Sequence, residues 1–236
     1  LALRPDGILS AWGDDTYEQC TVPPLGLATA ITAGFFHSLA RKADGAVVAW
    51  GDNYYKQSDV PALGSVRTVA AGGFHSLALK SNGTVAVWGD DEAGQRQAPA
   101  DLAGVKAVAG GLYHSLALKA DGTVAAWGLN GNGQCTVPPD IQGSTVAVAA
   151  GAWHSLALKH DGTVKGWGVN DYGQCTIPAG LNGVIAVAAG GWQSLALKAD
   201  GTVVAWGRND NGQCNVPAVL RPKKGISAIF LLLLDD

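Results

Sequence analysis

Apolar and polar residues alternate along the chain in short segments, and the segments recur about every 40 residues. The clearest copies read HSLARKADGAVVAWG, HSLALKSNGTVAVWG, HSLALKADGTVAAWG, HSLALKHDGTVKGWG and QSLALKADGTVVAWG, and the chain opens inside the same phrase with LALRPDGILSAWG. Alternation over four to eight residues is typical of β-strands. The landmark tryptophans, 38 to 40 residues apart, are Trp12, Trp50, Trp88, Trp127, Trp167 and Trp206.

Each repeat unit predicts four short strands. The first consists of small residues, as in VKAVAG, and the second is HSLALK. An Asp-Gly or Asn-Gly pair follows, which predicts a type I′ hairpin with positive φ at both residues. The third strand is GTVVAWG, and a polar loop leads to a fourth, CNVP, whose proline cannot donate to a β-ladder.

Four antiparallel strands repeated at this period predict an all-β fold, a single β-propeller of six four-stranded blades over residues 1–236. We expect the small-residue strand nearest the axis and the tryptophan between neighbouring blades. The segment Ile226–Phe230 fits the first-strand pattern, so we expect it to close the ring beside Leu1–Arg4. A seven-bladed ring or an open ring is the alternative, and the tail LLLLDD departs from the repeat.

Composition excludes several function classes. The 33 glycines suit a fold with many tight turns, and a net charge of −3 gives no electrostatic reason to bind nucleic acid. The longest apolar run, Phe230–Leu234, is too short to span a bilayer, so we expect no membrane partner. The sequence begins at Leu1 and contains no Met, so the lack of a signal peptide says little about location.

The phrase HSLALKADGTVxAWGxNxxGQ resembles the regulator of chromosome condensation repeat family over essentially the whole chain. The short form with proline, as in GQCTIPAG, is most similar to bacterial members, and among these to the secreted propeller-type β-lactamase inhibitors. This resemblance implies a non-enzymatic, protein-binding propeller located extracellularly or in the periplasm. It makes a class A β-lactamase the first candidate partner. Six units rather than the seven blades usual in eukaryotic members is a departure.

Aromatic residues outside the landmarks concentrate in the loops of one face. Because strands alternate in direction, loops from first to second strand and from third to fourth strand share a face, and the Asp-Gly hairpins occupy the other. One position per unit carries Phe36, Phe74, Tyr113, Trp153 and Trp192, with Phe35 adjacent, and the later loops carry Tyr17, Tyr54, Tyr55 and Tyr172. Packing between blades is the alternative role, but a core position tolerates changes from Phe to Trp poorly. Aromatic residues are enriched at binding hot spots, and in the resembling inhibitors these loops supply aromatic contacts.

Acidic residues lie between the aromatics: Asp14, Asp15, Glu18, Asp52, Asp90, Asp91, Glu92, Asp171 and Asp210. We expect a partner with a basic, partly apolar surface, contacted by Asp90 and Asp91 among others. The alternative is that these acids are solvated loop tips.

Two further repeated residue types suggest chemistry that we do not expect. His37, His75, His114 and His154 share a position with Gln193, which favours hydrogen bonding to nearby backbone over a metal ring. Cys20, Cys135, Cys175 and Cys214 also share a position, and their predicted spacing on outer strands is too large for disulfides. Free thiols slightly weaken an extracellular location. We expect no catalytic residue, no metal and no cofactor.

Protein binding is therefore the leading hypothesis. A carbohydrate-binding or cell-envelope structural module is the alternative, and an enzyme comes third. The third-to-fourth loops differ between units (DDTYEQ, DNYYKQ, DDEAGQ, LNGNGQ), which favours one large asymmetric partner over many identical sugar sites.

Overall fold

A computed structural model describes residues 1–217 of the chain. The expected all-β class is confirmed, since the helical structure in this range is a single 3₁₀ turn, Pro139–Ile141. The described residues form one antiparallel sheet per repeat unit. We number the units 1 to 6 by their tryptophans, from Trp12 to Trp206.

Unit 1 has a two-stranded sheet and units 2 to 6 have three strands each. The strands are β1 Ala2–Leu3 and β2 Leu9–Ser10 in unit 1; β3 Ala28–Ala33, β4 His37–Lys42 and β5 Val47–Gly51 in unit 2; β6 Val66–Ala71, β7 His75–Lys80 and β8 Val85–Gly89 in unit 3; β9 Val105–Gly110, β10 His114–Lys119 and β11 Val124–Gly128 in unit 4; β12 Thr145–Ala150, β13 His154–Lys159 and β14 Val164–Gly168 in unit 5; β15 Val184–Ala189, β16 Gln193–Lys198 and β17 Val203–Gly207 in unit 6.

The register places the two loop classes on one face, as the topology argument requires. In unit 2, His37 at the start of β4 lies opposite Gly51 at the end of β5. Ser38 lies opposite Ala33 at the end of β3. The loop before β4 and the loop after β5 therefore leave the sheet at the same end, and the Asp-Gly hairpin lies at the other.

The hairpin type differs from the prediction. A type I′ turn needs positive φ at both Asp44 and Gly45, but only Gly45 has it, at 86°. Gly45 N donates to Lys42 O at 3.0 Å and Lys42 N donates to Ala46 O at 2.8 Å, so three residues form the loop. The Asp44 side chain accepts a bond from Ala46 N at 2.9 Å. A glycine in the left-handed region is the usual end of such a three-residue loop.

The expected fourth strand is wrong for the part of the chain that the structure describes. The segment that follows each third strand forms consecutive turns instead. In unit 4, Gly133 N donates to Asn130 O at 3.1 Å and Thr136 N donates to Gly133 O at 2.9 Å. Cys135 N donates to Asn130 Oδ1 at 2.8 Å. Because local acceptors use these amides, few remain for pairing with β11.

The small-residue strands converge, as expected. Strands β3, β6, β9, β12 and β15 pack consecutively and together line one cavity of about 260 Å³. Their inward residues are mostly Val, Ala and Gly, with Ile31 and Thr32 in β3, and these small side chains allow the close approach that an axis requires. The arrangement is propeller-like. The segment expected to close the ring, Ile226–Phe230, lies outside the described residues.

The tryptophans fill the spaces between units, which confirms the prediction for units 2 to 6. Trp127 is 6% exposed and packs in one cluster with Leu77 and Leu79 of unit 3. Its Nε1 donates to Gln95 O of unit 3 at 2.7 Å. The same bond joins Trp50 to Gln19, Trp88 to Gln57, Trp167 to Gln134 and Trp206 to Gln174. Trp12 differs, with 59% of its surface exposed.

Candidate binding site: an aromatic loop face

A buried polar layer beneath the loops links neighbouring units. His114 Nε2 lies 3.0 Å from Ser155 Oγ of the next unit. Ser155 Oγ donates its only proton to Gln134 O at 2.9 Å, so it accepts from His114. The proton of His114 is thus on Nε2, and Nδ1 carries a buried lone pair. The expected hydrogen-bonding role is correct, but the partner is a serine across the interface rather than nearby backbone.

Burial keeps these histidines neutral. It lowers the pKa of His37 and His154 to about 4, and that of His75 and His114 to about 3. The carboxylate of Asp52 opposes this shift at His37. Within residues 1–217, no group of three His, Cys, Asp or Glu side chains is arranged to hold a metal ion.

Above this layer, four of the five equivalent aromatic residues contact one another in succession around the face. The ring centroids of Phe36 and Phe74 are 5.7 Å apart, those of Phe74 and Tyr113 5.6 Å, and those of Tyr113 and Trp153 5.7 Å. Each of these side chains is half-buried, as is Trp192. We call these five residues the aromatic arc. The geometry brings together side chains that are about 40 residues apart in the sequence.

The loop tyrosines extend the arc outwards. Tyr17 packs on Phe36 with centroids 5.2 Å apart, and Tyr55 packs on Phe74 at 5.5 Å. Tyr172 packs on Trp192 at 5.5 Å. Tyr54, which is 81% exposed, stands edge-on to Tyr55 at 4.9 Å. We call the arc and these four tyrosines the aromatic face.

In units 1 to 5, a buried glutamine accepts a backbone hydrogen bond within the loop that follows the third strand of the repeat. In unit 2, Gln57 is fully buried, and its side-chain oxygen accepts from Tyr55 N at 2.9 Å. Its amide donates to Asp52 Oδ2 at 2.8 Å, while Asp52 Oδ1 accepts from Tyr54 N at 3.1 Å. The tyrosines therefore project from a loop that is held internally. The Gly-Gln pair repeats in the sequence, but this anchoring role was not predicted.

The structure corrects the expectation that Asp90 is a surface acid, whereas Asp14, Asp15, Glu18, Glu92, Asp171 and Asp210 are exposed as expected. Asp90 is 4% exposed and accepts bonds from Gln95 Nε2 at 2.6 Å and from Glu92 N at 3.0 Å. Its carboxylate is inside the loop and is not a surface acid. Asp91 is half-buried and accepts from Arg96 N at 2.9 Å. Local amides need these carboxylates, whereas Glu92 beside them is exposed.

The charge of Glu92 affects the pKa of two tyrosines of the aromatic face. The pKa of Tyr55 is raised by burial and then by the carboxylates of Glu92 and Asp90. The pKa of Tyr113 is raised by burial and by the same two carboxylates. The face is therefore both aromatic and electronegative between units 2 and 4.

Cys20, Cys135 and Cys175 are free thiols, and all four cysteine side chains, Cys214 included, donate to a backbone oxygen of their own loop. Cys135 Sγ donates to Leu129 O at 3.2 Å, and burial raises the pKa of this thiol to about 11. Cys175 is arranged in the same way and has a pKa raised to about 11 by burial. Such thiols are poor nucleophiles at neutral pH.

A family model, "Regulator of chromosome condensation (RCC1) repeat", matches residues 28–57, 66–95, 105–134, 146–174 and 184–213, together more than half of the chain. No curated protein matches the sequence of this chain.

Solved structures are similar in fold. The ectodomain of the receptor kinase CR4 from Physcomitrella patens shares 24% identity, with a TM-score of 0.75, over 88% of this chain and 60% of its own. Prp20p from Saccharomyces cerevisiae shares 25% identity, with a TM-score of 0.67, over 78% and 59%. Human WBSCR16 shares 22% identity, with a TM-score of 0.67, over 77% and 62%. This chain thus spans about three fifths of the length of these proteins. None of the helices in residues 1–217 is long and apolar enough to cross a membrane.

Proposed function

The chain belongs to the family of regulator of chromosome condensation repeats, and we propose that it is a non-enzymatic, protein-binding scaffold whose contact surface is the aromatic face. The observation that carries this proposal is the continuous run of ring contacts from Tyr17 through Phe36, Phe74 and Tyr113 to Trp153. Clustered, partly exposed aromatic residues usually mark an interaction site.

The energetics favour a macromolecular partner. Tyr17, Tyr54 and Tyr172 expose 48%, 81% and 45% of their surface. Tyrosine and tryptophan combine a large contact area with few rotatable bonds, so they lose little entropy when a partner covers them. The loops that carry them are held by internal hydrogen bonds, which further lowers the entropic cost of binding.

A relative supports the same class of function. The yeast protein Prp20p has binding properties toward Gsp1p and histones. We transfer to this chain only the class of activity, which is the binding of another protein. For the individual partner, the resemblance noted from the repeats makes a class A β-lactamase the first protein to test, as an enzyme that this chain would inhibit.

A carbohydrate-binding or envelope role is the second candidate. Repeated sugar sites need the same polar partners in each unit, but the residue two before the loop glutamine is Tyr17, Tyr55, Ala93, Asn132, Tyr172 or Asn211. This variation supports one asymmetric partner.

The experiment compares the purified protein with Trp153→Ala, and uses Ile185→Ala as the matched control. Ile185 is also an exposed apolar residue, at 59%, but lies near the hairpin end of β15, away from the aromatic face. Candidate partners, starting with a class A β-lactamase, are titrated in a binding assay and, for the enzyme, in an inhibition assay. We expect Trp153→Ala to weaken binding at least tenfold and Ile185→Ala to leave it unchanged.

Two results would separate the parts of this proposal. Binding of another protein without inhibition of β-lactamase would remove the named partner and keep the face. Equal binding by a variant that lacks all five residues of the arc would remove the face itself.

For the fold, we propose a six-unit ring closed by pairing of Ile226–Phe230 with the strand at Leu1–Arg4. Trp12 is exposed and Gln213 is half-buried, although the same two groups are buried against each other at the internal interfaces. If the ring closes, a chain shortened to residues 1–217 has a lower melting temperature than the full chain. An equal melting temperature would contradict closure.

A further inference from the structure

One loop position decides whether a tyrosine packs on each aromatic residue of the arc. It lies two residues before the loop glutamine. Where it is tyrosine, the ring packs on the arc residue of the next unit: Tyr17 on Phe36, Tyr55 on Phe74 and Tyr172 on Trp192. In units 3 and 4 the position is Ala93 and Asn132, so no tyrosine covers Tyr113 or Trp153 in this way.

The backbone at this position is the same in covered and uncovered units. Ala93 N donates to Gln95 Oε1 at 2.8 Å, just as Tyr55 N donates to Gln57 Oε1 at 2.9 Å. The Cβ of Ala93 therefore starts from an equivalent place but carries no ring that could pack on Tyr113. We call the place beside Tyr113 that the equivalent tyrosine would occupy the gap.

A negatively charged side chain lies at the edge of the gap. Glu92 is adjacent to Ala93, is exposed, and has no ion pair among residues 1–217. The neighbouring acids Asp90 and Asp91 bind loop amides. Glu92 is thus the carboxylate here that remains available, and its charge acts on the side chain of Tyr113. The faces of aromatic rings such as Tyr113 attract cations.

The molecule already contains the complementary arrangement elsewhere on the same face. The guanidinium of Arg208 lies 5.3 Å over the ring of Tyr172, and its Nε donates to Asp210 Oδ2 at 2.7 Å. A cation, an aromatic ring and a carboxylate are joined there within the chain. At Tyr113 the ring and the carboxylate are present, and within residues 1–217 no cation, Arg96 of the same loop included, forms an ion pair with Glu92 or lies over the Tyr113 ring.

Resting on the proposed function, we infer that an arginine side chain of the protein partner docks in the gap beside Ala93, stacks on Tyr113 and Trp153, and pairs with Glu92. Arginine suits the site better than lysine because its planar guanidinium stacks on an aromatic ring while it donates to a carboxylate. The aromatic rings and the carboxylate of Glu92 together thus favour a partner with an arginine at the centre of its contact surface.

The test uses acetyl-arginine-amide as the probe, followed by the indole signal of Trp153 in proton–nitrogen NMR spectra, assigned through Trp153→Phe. We expect a saturable shift with a dissociation constant on the order of 10 mM, as is typical of a single side chain. Acetyl-citrulline-amide, which has the same shape without the charge, should leave the signal unmoved.

Three variants separate the site from general charge effects. Ala93→Tyr restores the covering ring and should abolish the shift. Glu92→Gln should weaken the probe about three- to fivefold. Glu18→Gln, an exposed acid in the loop of unit 1, is the matched control and should change nothing.

The absence of a saturable shift up to about 50 mM probe, or equal binding by Ala93→Tyr, would overturn the inference. Failure of the two proposals is distinguishable. If Trp153→Ala weakens binding of a protein partner but Glu92→Gln and Ala93→Tyr do not, the aromatic face stands and the arginine site falls.

Discussion

Two layers of one face of this molecule are built from residues only a few positions apart, yet they follow different rules. The buried layer repeats with little change: a histidine or glutamine, a serine, a tryptophan and the loop glutamine link each unit to the next. The outer layer varies between units, from Phe to Tyr to Trp along the arc and from Tyr to Ala or Asn in the loops.

Without a bound partner, this contrast distinguishes the residues that the fold requires from the residues that are available for binding. A buried group contacts the same neighbours at each interface between units. Few residue types fit such a position, and the same types therefore recur. A surface residue is held in place by the layer beneath but is free to vary in identity. A single asymmetric partner would use that variation, and folding does not require it.

The largest effect that would test this comparison is acid sensitivity of the buried layer. The folded pKa of each of the four histidines lies near 3 or 4, below the ordinary value of 6.5. The unfolded chain therefore binds more protons between these values, and stability falls as pH drops from about 6.5 towards 4. Each histidine contributes a loss of about 1.4 kcal/mol per pH unit in that range.

Urea unfolding at several pH values measures this slope. The control is His114→Gln, because unit 6 has Gln193 at this position. We expect the variant to fold and to show a slope smaller by about 1.4 kcal/mol per pH unit. A wild-type stability that stays flat from pH 6.5 to 4.5 would show that the histidines are not the acid-sensitive groups.

The second effect contrasts two tryptophans. Trp127 is 6% exposed and bonded to Gln95 O, whereas Trp153 is half-buried on the arc. We expect Trp127→Ala to lower the free energy of unfolding by about 3–5 kcal/mol. Trp153→Ala loses mainly one ring contact and should cost about 1 kcal/mol. Similar losses for both variants would erase the distinction between the layers.

The third effect concerns the affinity for a partner, whereas the second concerns the stability of the fold. Trp192→Ala removes an arc residue that packs on Tyr172. With a partner in hand, we expect the binding free energy to weaken by about 2 kcal/mol if Trp192 is a hot spot. The measurement is isothermal calorimetry, with circular dichroism to verify the fold. Normal affinity would place Trp192 outside the contact surface.

The smallest effect concerns the thiols. Ser58 occupies the cysteine position in unit 2, and its Oγ donates to Asp52 O at 2.9 Å, as Cys135 Sγ does to Leu129 O. Cys135→Ser should therefore change the free energy of unfolding by less than about 0.5 kcal/mol. A loss several times larger would mean that sulfur packing, rather than the hydrogen bond, holds the loop.

Some expectations from the sequence were correct because they depend on local pattern. Strand alternation, Asp-Gly hairpins and the tryptophan period are written into consecutive residues, and they predicted the sheets and the position of Trp50 to Trp206 between units. The hairpin type was wrong because Asp44 accepts a bond from Ala46 N without adopting positive φ. The fourth strand was wrong because Asn130 accepts the amide that a ladder would use.

The repeat, the all-β class and the face on which the aromatics lie all follow from spacing along the chain, so the sequence was enough to predict them. Which polar groups remain for a partner depends instead on how the loops fold and pack. Asp90 and Glu92 are equally acidic in the sequence, but one is buried against Gln95 and the other is exposed. The tertiary structure also decided that the histidines bond serines of the next unit, because a contact between residues about 40 apart depends on how two sheets pack, which local pattern does not specify.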